Sequence, residues 1–418
     1  MHEKELLPHL FRTEYRKIIS VLVRHFGFEQ FSLAEDIASD TFLIAAETWG
    51  IKGLPENPVA WLYTVAKNKA RDQVKRNAIF EHKIRAAIIS DEKSDAETDI
   101  DLSEENIKDS QLQMMFAIAD PILSTESQIA LILRILCGFG IEEIADAFLS
   151  NKETIHKRLT RAKEKIRSAK IKIMLPSPGE INQRIDAVLT SLYLLFNEGY
   201  YSSSRDSVLR KDFCLEAMRL SLLLIENEKT NKPHAEALFA LMCFHASRFD
   251  ARVDGNGEII RYDEQNVALW NEELILKGNY YLNKASRGKV LSSYHIEAAI
   301  GYWHTIKDDS SEKWENILQL YNQLLITGYS PVTALNRTYA LSKVKGKPAA
   351  IEEAEKLGLT NNHLYHVLLG YFYTGNDNKK ARSHLETALK LAKTERERSL
   401  IRKDLKKVWE YRSMGVGD

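Results

Sequence analysis

Thr154, Lys157, Arg158 and Arg161 recur at spacings that bring them to one side of a helix, with a hydroxyl first and cations after it. Such a stripe suits the major groove of DNA, where hydroxyls and guanidiniums meet base edges and ammoniums meet phosphates. Residues 151–172 hold nine Lys or Arg against two Glu, and phosphate is the natural counterpart of that excess. A basic amphipathic helix taken alone is more often a solvated surface than a nucleic-acid reader. Glu153 lies three residues after Ser150 and can close a capping box at the helix start instead of touching a base. His156 has no second His or Cys beside it at metal-ligand spacing, which argues against a metal.

A second stripe lies in NPVAWLYTVAKNKARDQVKR, residues 57–76, where Trp61, Thr64, Asn68, Arg71 and Lys75 share a helix face. An aromatic ring at the head of polar and basic residues suits single-stranded DNA, because the ring supports an unstacked base while the cations follow the backbone. The competing reading is that Trp61 is core.

These stripes need elements to hold them. Ile155, Leu159, Ala162 and Ile166 recur at four, three and four residues, an apolar stripe that must pack on preceding helices. Ile144, Ala145, Phe148 and Leu149 make the preceding segment amphipathic, and the FLSN break has the length of a helix-turn-helix turn. Upstream, Leu62, Val65, Ala66, Ala70 and Val74 form the buried side of a helix that Asn57 and Pro58 start well, one as cap and the other in the first turn.

SLAEDIASDTFLIAAETW, then PENPVAWLYTVAKNKARDQVKR, then the helix-turn-helix resemble regions 2 and 4 of an extracytoplasmic-function (ECF) sigma factor of bacterial RNA polymerase, over residues 8 to about 174. LFNEGYYSSS, ARVDGNGEI and a helical-repeat tail are similar to the ECF subgroup that carries a tetratricopeptide-like C-terminal extension. The resemblance implies that Glu35, Asp36 and Asp40 dock on the polymerase clamp, with Asp40 where the family often shows Glu. It implies that residues 50–58 capture a flipped base of the −10 element. Trp61, Tyr63, Thr64, Lys67, Asn68, Arg71, Lys75 and Arg76 then fall on the strand-opening helix. Lys152, Glu153, Thr154, His156, Lys157, Arg158 and Arg161 fall on the helix that reads the −35 element. Core RNA polymerase and promoter DNA are the implied partners. The extension is expected to regulate activity, through a protein or intramolecular partner. Asn197, Glu198, Tyr200 and Tyr201, at the end of an apolar helix, are a candidate regulatory interface, with a simple helix-ending turn as the alternative.

The 418 residues carry 58 Lys or Arg against 58 Asp or Glu, and this neutrality conceals local polarity. Residues 78–110 hold ten acidic against four basic residues and few large apolar ones, which predicts a flexible acidic linker. Cys137, Cys214 and Cys243 are too few and scattered for a disulfide framework or zinc cluster and are expected to be small buried residues. No basic-then-apolar leader and no uninterrupted apolar run of membrane length is present, so a cytoplasmic protein off the membrane is expected. No phosphate-binding glycine loop, Gly-x-Ser-x-Gly elbow or His-Glu-x-x-His appears, so neither an enzyme nor a cofactor is expected.

Beyond PSPG at 176–179 the pattern is helical again. DARVDGNGEIIRYD, residues 250–263, reads as a turn or short hairpin; Asp254, Asn256 and Glu258 alternate as in a calcium loop, but Ile259 stands where its glycine should. From about 314 onward paired helices of repeat length follow, with Ala334, Tyr339, Ala340, Ala350 and Ala354 in one pair and Gly370, Tyr371, Ala381 and Ala388 in the next. The expected fold is all-α: region 2 over 1–77, linker over 78–110, region 4 over 111–175, a helical extension over 176–305 and tetratricopeptide-like repeats over 306–418. A helix-turn-helix regulator with a sensing repeat domain, and a repeat scaffold with incidental basic helices, are the competing functional readings.

Overall fold

The computed structural model describes residues 3–85, 100–148, 150–201, 210–255, 259–288 and 290–413, and among them the fold is all-α with eighteen α-helices. The chain divides into two compact units, residues 1–195 with 227–230, and residues 196–226 with 231–418.

In the first unit α1 (Glu3–Phe26), α2 (Phe31–Lys52) and α3 (Pro58–Arg85) pack around Ile18, Leu22, Ala34, Ala38, Phe42, Leu62, Ala66 and Ala70, all buried. Asn57 caps α3 as its sequence predicts, accepting a hydrogen bond from the Ala60 amide at 3.0 Å. α2 stops at Gly53, whose φ of 79° lies in the left-handed region that a side chain disfavours. α4 (Glu104–Ile118), α5 (Thr125–Ile135), α6 (Ile141–Ala147), α7 (Lys152–Ser168) and α8 (Pro178–Tyr201) follow.

The expected linker is shorter than its composition suggests. α3 runs on to Arg85, and Ser103 caps α4, whose Ile107 and Met114 are buried. A good cap followed by apolar residues at helical spacing outweighs the local acidity, and only residues 86–99 of that segment lie outside the described residues. The expected boundary at 176–179 also shifts. Most of α8, through Leu195, belongs to the first unit, with Ile181, Ile185, Val188, Leu189 and Leu192 buried, and Arg184 bonds Asp120 at 2.9 Å and the Phe116 carbonyl at 3.1 Å.

The second unit is built around α10 (Pro233–Ala246), which is apolar on every side and buried over nearly its whole length. α9 (Lys211–Glu226), α11 (Glu272–Ala285) and α12 (Ser293–Trp303) surround it. Gly278 and Gly301 admit the Phe244 ring, since a Cβ at Gly278 would stand 2.6 Å from it. Between α10 and α11, residues 253 and 259 form one antiparallel bridge, in accord with the predicted short hairpin; Asn256, Gly257 and Glu258 at its tip lie outside the described residues. Helix pairs α14 (Pro331–Lys345) with α15 (Lys347–Leu357), and α16 (His363–Tyr373) with α17 (Asn378–Leu391), bury Ala334, Ala340, Ala350, Ala354, Ala381 and Ala388 as the repeat pattern predicts. α13 (Ser311–Thr327) precedes them and α18 (Glu395–Ser413) follows. All three cysteines are free and buried.

Candidate nucleic-acid interface

α7 is set by its apolar stripe. Ile155, Leu159, Ala162 and Ile166 are all buried, against α5 and α6, so the opposite face must stand in water. Burial of an Ile or Leu side chain contributes about 1.5–3 kcal/mol, enough to fix which side faces out. Thr154, His156, Lys157 and Arg161 are exposed there. The cap is Asn151, which accepts from the Thr154 amide at 2.8 Å, so Ser150 and Glu153 form no capping box. Glu153 instead pairs with Lys157 at 2.7 Å, one helical turn on, and Lys152 bonds Glu142 across the turn from α6.

Arg158 departs from the expected stripe. Its guanidinium carbon lies 5.0 Å from the Phe148 ring centre and the residue is half-buried, so it leans on the turn instead of standing out with Arg161. A flat, weakly hydrated guanidinium covers an aromatic face more readily than an ammonium does.

On α3, Thr64, Asn68, Arg71, Lys75 and Arg76 are exposed, and Lys67 is half-buried. Trp61 is half-buried, with its ring 5.4 Å from Trp49 in an edge-to-face contact, so it serves the core of this unit on one side and presents a surface on the other. Tyr63 does not share the exposed face. Its hydroxyl donates to Oε2 of buried Glu14 on α1 at 2.5 Å, and Lys17 holds the other carboxylate oxygen of Glu14 at 2.9 Å. Its position one step off the stripe turns it inward.

On α2, Asp36 and Asp40 are exposed, Glu35 is half-buried, and Asp40 accepts from Lys69 of α3 at 2.8 Å. Lys163, which sequence reasoning passed over, joins the two candidate surfaces. Its Nζ lies 3.8 Å from Glu35 and 4.4 Å from the Phe31 ring centre, and burial lowers its pKa against the opposing pull of Glu35. Arg24 on α1 makes a second link, to Asp109 at 2.7 Å and Asn106 at 3.0 Å on α4. The Arg16 guanidinium occupies the space beside Gly138, which with a φ of 70° has two reasons to lack a side chain. These contacts span long sequence separations, so no local spacing announces them.

The proposed regulatory cluster is a correction. Tyr200 is fully buried and Glu198 nearly so, with Tyr200 stacked on Phe196 and under Arg252 at 3.9 Å, so both pack the extension and are not outward contacts. An apolar helix end at the start of a domain draws its aromatics inward. Asn197 is half-buried, and the side chain of Tyr201 lies outside the described residues. Among the described residues no group of three or more His, Cys, Asp or Glu is placed to hold a metal, and no helix is long and apolar enough to cross a membrane.

Residues 10–79, the span of α1 to α3, match sigma-70 region 2, which implies core RNA polymerase and promoter DNA as partners. Residues 184–286 match a family of unknown function, DUF6596. An uncharacterized protein of Rhizobium meliloti (strain 1021) is 33% identical over 383 residues, 90% of either chain, and the present chain belongs to the same family. No solved structure matches it.

Proposed function

We propose that this protein is a sigma factor of the extracytoplasmic-function type, which binds core RNA polymerase in the cytoplasm, directs it to promoters, and is regulated by its tetratricopeptide-like extension. The observation that carries the reading is the region 2 match over α1 to α3, whose exposed side bears Asn68, Arg71, Lys75 and Arg76. The separate helix-turn-helix with an outward basic face supports it. In this reading Glu35, Asp36 and Asp40 engage the clamp, α3 with Trp61 holds the opened −10 strand, and Lys157 and Arg161 of α7 lead recognition of the −35 element. The protein acts by binding, and its chemistry belongs to the polymerase.

Run-off transcription with purified core polymerase tests this. Promoter-specific transcripts that depend on the added chain are expected. Salt-sensitive duplex binding without polymerase association would instead assign a helix-turn-helix regulator, and neither activity would assign a repeat scaffold. Comparing the full chain with a truncation after Leu195, which keeps the part of α8 that belongs to the first unit, tests regulation; equal transcription at all salt concentrations makes the extension a passenger.

A further inference from the structure

The extension contains two buried cations that lack a carboxylate partner. Arg248, just past the end of α10, is 7% exposed, and Lys313, in the first turn of α13, is 2% exposed. Lys313 Nζ donates to the Tyr262 hydroxyl at 3.0 Å and the Ile306 carbonyl at 2.9 Å. Arg248 Nη2 lies 3.5 Å from His245 Nδ1, and its Nε is buried without a hydrogen-bond partner. Among the described residues neither cation has an acidic group within ion-pair distance. Two exposed acids lie near Lys313 and act on its charge from beyond ion-pair distance: Asp309, which is engaged by the Trp314 indole and Lys343, and Asp308.

Both cations face one ring. The Arg248 guanidinium carbon is 5.5 Å, and Lys313 Nζ 5.4 Å, from the centre of Tyr262. Trp270, 6% exposed, stacks on the same ring at 6.1 Å, and its indole Nε1 is a buried donor without an acceptor. His304 meets Tyr262 edge-on at 5.0 Å, and its Nδ1 is likewise buried and unpartnered. Burial, helped by Arg248 and Lys313, pushes the His304 pKa down to about 3, so this imidazole is neutral and supplies no third charge.

Buried charges are ordinarily paired, and an unpaired one costs several kcal/mol. Buried N–H groups ordinarily find acceptors. A shell holding two cations and an unused indole N–H, with no carboxylate in ion-pair contact with either cation, is short of one thing, a group that only accepts hydrogen bonds and carries negative charge. We propose that the extension binds a small oxyanion, the phosphate or carboxylate group of a soluble metabolite, between Arg248 and Lys313, with Tyr262 and Trp270 as its aromatic walls. The site sits in the half of the chain that promoter reading does not use, so it stands or falls independently of the sigma-factor reading.

The test is a titration of the full-length protein with inorganic phosphate and, separately, with benzoate, against sodium chloride at matched ionic strength. Thermal unfolding and Trp fluorescence are the readouts. Expected is a saturable rise in Tm of a few degrees with one of the two anions, which identifies the group recognised. Arg248→Met and Lys313→Met should each weaken that response at least tenfold. In the absence of anion, Lys313→Met should unfold no earlier than the native protein, since it removes an unpaired buried charge. A flat response to both anions in the native protein overturns the proposal without any variant. A response that survives both substitutions overturns it as well.

Discussion

The basic face of α7 and the cation pair around Tyr262 contain the same residue types under opposite conditions. Lys157, paired only with exposed Glu153, and Arg161 stand in water, where charge is cheap and a polyanion can approach from outside. Arg248 and Lys313 have been taken out of water, where an uncompensated charge is expensive. Exposure therefore separates a surface suited to a nucleic-acid backbone from a site suited to one discrete anion.

The comparison fails first if α7 is not anchored as described. Leu159→Ala should destabilise the first unit by about 2–5 kcal/mol in a denaturant titration, while Arg161→Ala, on the opposite face of the helix, should leave the midpoint unchanged. Next in size is the acid response of the buried cluster. The folded-state pKa of His304 lies below its ordinary value, so below about pH 6.5 the unfolded chain takes up a proton that the folded chain refuses. Stability should fall from there toward about pH 3, and His304→Gln should make that limb shallower in a series of melts across pH, with buried His245 supplying the part that remains. On DNA, Arg161→Ala should lower affinity evenly across sequences and reduce the salt slope by about 1 if it contacts phosphate, which binding at several salt concentrations reads out. Arg158→Ala should change stability as well as binding, because it removes the cover of Phe148. The smallest effect belongs to Lys163→Ala, which breaks a long, half-exposed pair with Glu35 and should cost about 0.2–1 kcal/mol.

What could be read from the sequence was local. The stripe of Ile155, Leu159, Ala162 and Ile166, the Asn57 cap and the small residues of the late helix pairs follow from periodicity and capping, which operate over a few residues. What could not be read depends on the tertiary fold. Lys163 meets Glu35, and Lys313 meets Tyr262 across 51 residues, through packing that no spacing encodes. Tyr63 and Tyr200 were misplaced for a related reason, since an aromatic with a hydroxyl suits a surface or a core, and only the neighbours decide. The acidic composition of residues 104–110 obscured a helix start that Ser103 and Ile107 specify.

The glycines at 278 and 301 have a consequence for the cluster around Tyr262. Phe244 lies one helical turn before Arg248, and its ring is held where those glycines leave room for nothing larger. The turn of α10 that leads into Arg248 is therefore wedged against α11 and α12. A ligand arriving there meets a guanidinium already in position and loses little entropy in ordering it, so occupancy should leave the backbone of the extension almost unmoved.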